Sequence, residues 1–164
     1  MTGPAGAGGD LFQVVVFHVG EHTFAFNIFQ VQRVLRYERP AAVPKAPPFL
    51  EGVLQVERAI VPVIDLRKRF ELPHAPLGPE TRIVVVEAGD AAVGVVVDRV
   101  SEVLRVAADA VSPPPPVVRG LAAEYIQGIV ALPGRTLVLL HAGRLLTSSE
   151  RIALQDLDAE AAHG

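Results

Sequence analysis

Four two-residue interruptions, Gly20-Glu21, Glu57-Arg58, Gly89-Asp90 and Pro133-Gly134, each separate two short runs rich in Val, Ile, Leu or Phe. A connection that short reverses the chain as an antiparallel hairpin, because parallel neighbours need a crossover of about a dozen residues or more. The runs at 12–19 and 22–28, 53–56 and 59–64, 82–88 and 91–97, and 125–132 and 135–141 therefore read as four hairpins. The chain is expected to be mainly β.

The hairpins also repeat. GEHTFAFNIFQVQRVLR, starting at Gly20, lies without gaps on GDAAVGVVVDRVSEVLR, starting at Gly89. GVLQVERAIVPVIDLRKRF, from Gly52, lies likewise on GIVALPGRTLVLLHAGRLL, from Gly128. The two offsets are nearly equal, which points to duplication, with two similar lobes in tandem. Short strands with Gly and Pro corners favour small barrels over one flat sheet. A lobe of roughly 70 residues is marginal alone, so a shared buried seam is expected. A single domain of two interleaved lobes is read over 11–157, between a flexible leader at 1–10 and a flexible tail at 158–164.

Helix is the minor component. Asp65 precedes LRKRF and Asp98 precedes RVSEVLR, and each reads as the cap of a short helical turn. The tail SERIALQDLDAEAA, with Ile152, Leu154 and Leu157, reads as a terminal helix packed on one lobe. RPAAVPKAPPF and SPPPPVV read as stiff, extended connectors, since Pro fixes φ. The tetraproline run also has the form of a ligand for an aromatic groove.

Composition narrows the function. Half of the residues are hydrophobic, enough for a substantial core, and the net charge is −3, with no pull towards nucleic acid or anionic lipid. There is no cysteine, so disulfide and thiolate chemistry are excluded and a cytoplasmic setting is expected. MTGPAGAGGD lacks the regions of a secretory signal. No stretch offers about 18 uninterrupted apolar residues, so no direct membrane insertion is expected.

No pattern suggests catalysis. The five histidines are His18, His22, His74, His141 and His163. Only His18 and His22 form a local pair, expected to face each other across the first hairpin. Metal sites need three or four ligands together, so this pair reads as surface and no metal is expected. There is no glycine-rich phosphate loop and no G-x-S-x-G elbow. Asp65 and Asp98 are explained as caps rather than as an acid/base pair. No catalytic residue and no cofactor is expected, which leaves surfaces and binding.

The ordered motifs F-x-V-G-x-x-x-F-x-x-x-I-x-x-V-x-x-V-L, the connector into PPFLEGV, IVPVIDLRKRF, GVVVD and EYIQGI resemble the CheW family, over nearly the whole chain. These are adaptor proteins of bacterial chemotaxis-type signalling. The resemblance implies two five-stranded SH3-like β-barrels sharing a hydrophobic seam, with short helices and a C-terminal helix. It implies a non-catalytic scaffold that links a chemoreceptor (methyl-accepting) signalling tip to the regulatory domain of a CheA-type histidine kinase. By the same resemblance the receptor-facing groove involves Val31 and the strand end Gln55, Val56, Glu57 and Arg58. Val117 and Val118 fall where kinase or ring contacts are made, or pack beneath their loop.

The turn departs from the family. Its usual Asn-Leu-Arg-Gly is Gln55-Val56-Glu57-Arg58 here. Glu57 inverts a charge, and Arg58 replaces a glycine that would tolerate positive φ. Two readings stay open. Arg58 reaches the same partner acid from a shifted turn, or a contact is lost. The latter describes a divergent accessory member that binds only receptor or only kinase, or serves a non-flagellar pathway such as surface motility.

Overall fold

A computed structural model describes residues 10–114, 124–147, 150 and 153–154. The expected hairpins form as β1 (Leu11–Val19) with β2 (His22–Asn27), β4 (Leu50–Val56) with β5 (Ala59–Asp65), β6 (Arg82–Ala88) with β7 (Ala91–Val97), and β10 (Ile126–Leu132) with β11 (Arg135–Leu140). Further strands are β3 (Val31–Arg36), β8 (Arg99–Ala107) and the two-residue β9 (Val111–Ser112). They make a six-stranded sheet, β8-β1-β2-β11-β10-β9, and a five-stranded sheet, β3-β6-β7-β5-β4.

The repeat is tandem along the chain but exchanged in space. β3 follows β2 yet pairs with β6, and β8 follows β7 yet pairs with β1. Each sheet therefore draws strands from both halves. The two sheets share one internal plan, with a single parallel junction in each: β11 on β2 and β5 on β7. Among the described residues no pairing joins β3 to β4 or β8 to β9, and the strands form two sheets of six and five.

The exchange places the core. In β1, Val14 and Val16 face a cluster with Ala25, Val106, Val130, Leu137 and Leu139 inside the six-stranded sheet. Leu54, Val61, Val63, Ile83 and Val85 form the matching cluster inside the five-stranded sheet. The opposite faces of the central strands supply Phe17, Phe24, Phe26, Val84, Val86 and Val95 to a third cluster between the sheets. Phe17 stacks on Phe26 at 5.1 Å and on Phe24 at 5.8 Å. Strands buried on both faces read as continuous apolar runs, which is why VVVF, FAF and IVVV lack alternation. The shared seam is thus present.

Two glycines permit close backbone approach at equivalent places. Gly52 has φ of +152°, and a Cβ there would lie 2.5 Å from the Ala41 carbonyl oxygen, where Ala41 bridges Val53. Its repeat counterpart Gly128 faces Val111 and Ser112 of β9.

The Asp65 cap forms: its Oδ1 accepts from the Arg67 N–H at 2.9 Å and α1 (Leu66–Arg69) follows. The Asp98 cap does not. Arg99–Ala107 is strand β8, and Val-x-x-Val-Leu fits a period of two as well as a helix. Pairing with β1 decides the matter by burying Leu104 and Val106 against Val14 and Val16. In the tail, Thr147 Oγ1 accepts from the Glu150 N–H and Glu150 Oε1 from the Thr147 N–H, a reciprocal capping box. Glu150, Ala153 and Leu154 are helical, and Leu154 packs on the seam. The leader at 1–9, the rest of the tail, and Val117 and Val118 lie outside the described residues.

Candidate functional site

The β4–β5 turn is the two-residue loop Glu57-Arg58, closed by the pairs Val56 with Ala59 and Gln55 with Ile60. Glu57 has φ of +56°. Gly20 and Gly89 hold the same first turn position in their hairpins, with φ of +61° and +75°. This corrects the sequence expectation. The residue in the left-handed region is Glu57, not Arg58. A side chain there costs about 1–2 kcal/mol against glycine.

Glu57 is not an isolated inverted charge. Its Oε1 accepts from Arg33 Nη2 at 2.8 Å. Arg33 lies on β3 and Glu57 on the turn after β4, at opposite ends of the five-stranded order. The pair therefore requires a strongly curled sheet whose end strands converge. Both side chains are solvated, so the bridge contributes at most about 1 kcal/mol. Sequence reasoning missed Arg33, because that contact depends on curvature.

Val31 opens β3 opposite Val86 and is half-buried against the inter-sheet cluster. It follows a 3-10 turn, Ile28–Gln30, where Asn27 Oδ1 accepts from the Phe29 N–H at 3.0 Å. That turn leaves the Phe29 ring 84% exposed. Val34 and Ile60 are also exposed. Gln55 points to solvent, and Val56 packs on the five-stranded core. The structure thus gathers the turn residues with Arg33 at one curled edge. Val31 sits two residues before Arg33 on the same strand.

The second sheet carries a counterpart. Arg33 falls on Glu102 and Val34 on Val103 in the gap-free repeat. Glu102 Oε2 accepts from Arg135 Nη1 at 2.7 Å, beside the Pro133-Gly134 turn. The strand-to-turn ion pair recurs with its polarity reversed. Glu102's pKa is lowered and Arg135's raised, in each case chiefly by this hydrogen bond.

Other charged groups serve the frame. Asp98 Oδ2 accepts from the Gly20 N–H at 2.7 Å and from Arg67 Nη2 at 2.6 Å, joining α1 to the first hairpin turn. Arg69, nearly buried, makes a two-pronged bridge to Glu150 at 3.0 and 3.1 Å and donates to the Tyr125 hydroxyl at 2.9 Å. Its guanidinium lies over the Phe49 and Tyr125 rings. Burial works against the Arg69 cation, and the bonds to Glu150 and Tyr125 overcome it and raise its pKa. Burial also raises the Asp65 carboxyl, against the Arg67 N–H that it accepts.

The histidine pair is not brought together. Register sets His18 against Thr23 and His22 against Val19, so the two rings lie on opposite faces. His18 Nε2 is 3.0 Å from Ser101 Oγ, and its pKa is lowered first by burial and then by Arg99 and Arg135. Among the described residues, no group of three or more His, Cys, Asp or Glu is placed to hold a metal ion. A cleft of about 300 Å³ is lined by Tyr37, Glu51, Asp65, His74 and Leu77. Glu51 there is bound to Lys68 at 2.6 Å and Asp65 caps α1. No helix among the described residues is long and apolar enough to cross a membrane.

These features define a mainly β interaction scaffold, with exposed apolar residues and polarised ion pairs at the mouths of two curled sheets. The CheW-like domain family matches residues 13–150, and the chain belongs to that family. It is 32% identical to the chemotaxis protein CheW of Treponema pallidum, over 94% of this chain and 93% of that one. It is 35% identical to CheW of Klebsiella aerogenes, over 88% and 86%. It is 32% identical to protein FrzA of Myxococcus xanthus, over 84% and 87%. The solved structure of the scaffolding protein CheW from Thermoanaerobacter tengcongensis superposes with a TM-score of 0.79 at 28% identity, covering 86% of this chain and 96% of that chain. The chain is accordingly a chemotaxis-type scaffold and not an enzyme.

Proposed function

We propose that this chain couples a chemoreceptor's cytoplasmic signalling tip to the regulatory domain of a CheA-type histidine kinase, in the cytoplasm and recruited to receptor arrays. The receptor side is the edge formed by Val31, Gln55, Val56, Glu57 and Arg58. The observation that carries this reading is the curled mouth of the five-stranded sheet, where the Arg33–Glu57 bridge ties β3 to the altered turn. Half-buried Val31, on the same strand as Arg33, offers apolar contact, and the ion pair supplies orientation. Val117 and Val118 are assigned to the kinase or ring side. Coupling of this kind holds two partners at once, so it requires two separate surfaces.

Titration calorimetry at tens of micromolar tests this with two purified probes, a receptor signalling fragment and the kinase regulatory domain. Saturable binding of both is expected. Binding of neither overturns the reading, and binding of one alone identifies the accessory alternative.

A further inference from the structure

Arg69 is bound from across the seam. It ends α1, which follows the five-stranded sheet. Its partners, Tyr125 and Glu150, lie before and after the β10–β11 hairpin of the six-stranded sheet. Phe70, the next residue, sets its ring 5.2 Å from Phe24 of β2 and 5.8 Å from Tyr125. The end of α1 is therefore a plug between the two sheets. The duplication does not repeat it, because buried Leu145 stands at the position equivalent to Arg69.

One carboxylate holds the plug. Glu150 Oε1 and Oε2 take both prongs of Arg69, and Oε1 also accepts the Thr147 N–H at 2.8 Å. Glu150 is thus both the partner of the cation and half of the capping box that starts its own helical turn. Leu154 of that turn packs on the seam. Departure of the carboxylate undoes bridge and cap together. A four-residue helix such as α1 does not hold itself in water, so its end stays in place through its contacts. Arg69 is not stranded when Glu150 leaves. The Tyr125 hydroxyl still accepts from it, and the Phe49 and Tyr125 rings still face its guanidinium. The released state therefore contains no unpartnered buried cation, which is the usual penalty for breaking a buried bridge.

We propose that Glu150 is a releasable clasp on the seam. Seated on Arg69, it keeps the end of α1 and Phe70 docked between the sheets. Its departure frees that end and its own helical turn together, while both sheets stay folded. The placement of one sheet against the other is then governed from the C-terminal side of the chain.

Hydrogen exchange of the full chain, read by mass spectrometry, tests this with Glu150→Ala. Two peptides report the clasp, one covering Phe70, Glu71 and Leu72, whose amides close onto Leu66, Lys68 and Arg67, and one containing Glu150, Ala153 and Leu154. Both are expected to exchange roughly tenfold faster or more, while β1–β2 and β6–β7 change less than about twofold. Glu57→Ala, which breaks a solvated pair, should move neither peptide. Glu150→Gln keeps the size of the side chain and removes its charge, and should accelerate the same two peptides by a smaller factor. Unchanged exchange in both peptides overturns the proposal, as does acceleration of the second without the first. Equal acceleration of every strand also overturns it, since Glu150 would then be a general stability contact. Failure of both variants to fold would mean that the sheets do not stand without the clasp, and overturns it as well.

Discussion

Asp98 and Arg67 meet at 2.6 Å, and the same Asp98 oxygen takes the Gly20 N–H at 2.7 Å. One carboxylate thus fastens α1, which follows the five-stranded sheet, to the first turn of the six-stranded sheet. Arg67 also donates to the Pro73 carbonyl at 2.7 Å, so the loop after α1 joins this junction. A residue expected to cap a helix instead ties the two sheets together.

Asp98→Ala is expected to lower unfolding free energy by about 1–2 kcal/mol, since it removes the acceptor of the Gly20 N–H and leaves a mostly buried guanidinium with only the Pro73 carbonyl. Asp98→Asn keeps an oxygen for one donor and should lose less. Urea denaturation measures both, and a neutral Asp98→Ala would remove the junction from the account.

Glu57→Gly relieves positive φ, worth about 1 kcal/mol, and gives up a solvated ion pair worth at most about that. The net effect is between zero and slight stabilisation. Glu57→Ala gives up the pair without full relief and should be the less stable of the two. The order in denaturant midpoint, Gly above Ala, distinguishes a strained turn from an unstrained one.

Gly52→Ala should be severe, about 3 kcal/mol or more. The added Cβ would press on the Ala41 backbone oxygen in a conformation open only to glycine. A thermal melt reads the loss directly, and a change below about 1 kcal/mol would mean that the Ala41–Val53 bridge yields easily.

His18 gives the fold a pH slope. Its folded pKa lies below the ordinary 6.5, mainly through burial. The unfolded chain therefore takes up the proton first as the medium is acidified. The contribution to stability is fully present above 6.5 and is lost as the pH falls from there through the lowered folded value. His18→Gln should flatten the difference in denaturant midpoint between pH 7.5 and 5.5. An unchanged slope would place its origin elsewhere.

The hairpins were legible because two-residue turns leave no alternative to antiparallel pairing. The duplication was legible in Gly20 against Gly89 and Gly52 against Gly128. The exchange of β3 and β8 was not, because Val-x-x-Val-Leu satisfies two periods and the deciding partners, β6 and β1, are remote in sequence. Asp98 was misread for that reason. Glu57-Arg58 stood out as an unusual turn pair, yet which residue carries positive φ depends on hairpin register. Arg33 was invisible as a site residue, since it meets Glu57 only once the sheet curls. The outward turn of Phe29 was not legible either, since it depends on the Asn27-capped 3-10 turn.

If one chain holds two partners at once, as proposed, analytical ultracentrifugation of the chain mixed with a receptor signalling fragment and the kinase regulatory domain, alone and together, reads it directly. A three-component species that sediments faster than either binary complex is expected. Two binary complexes that compete, with no faster species at saturating concentrations, would contradict it.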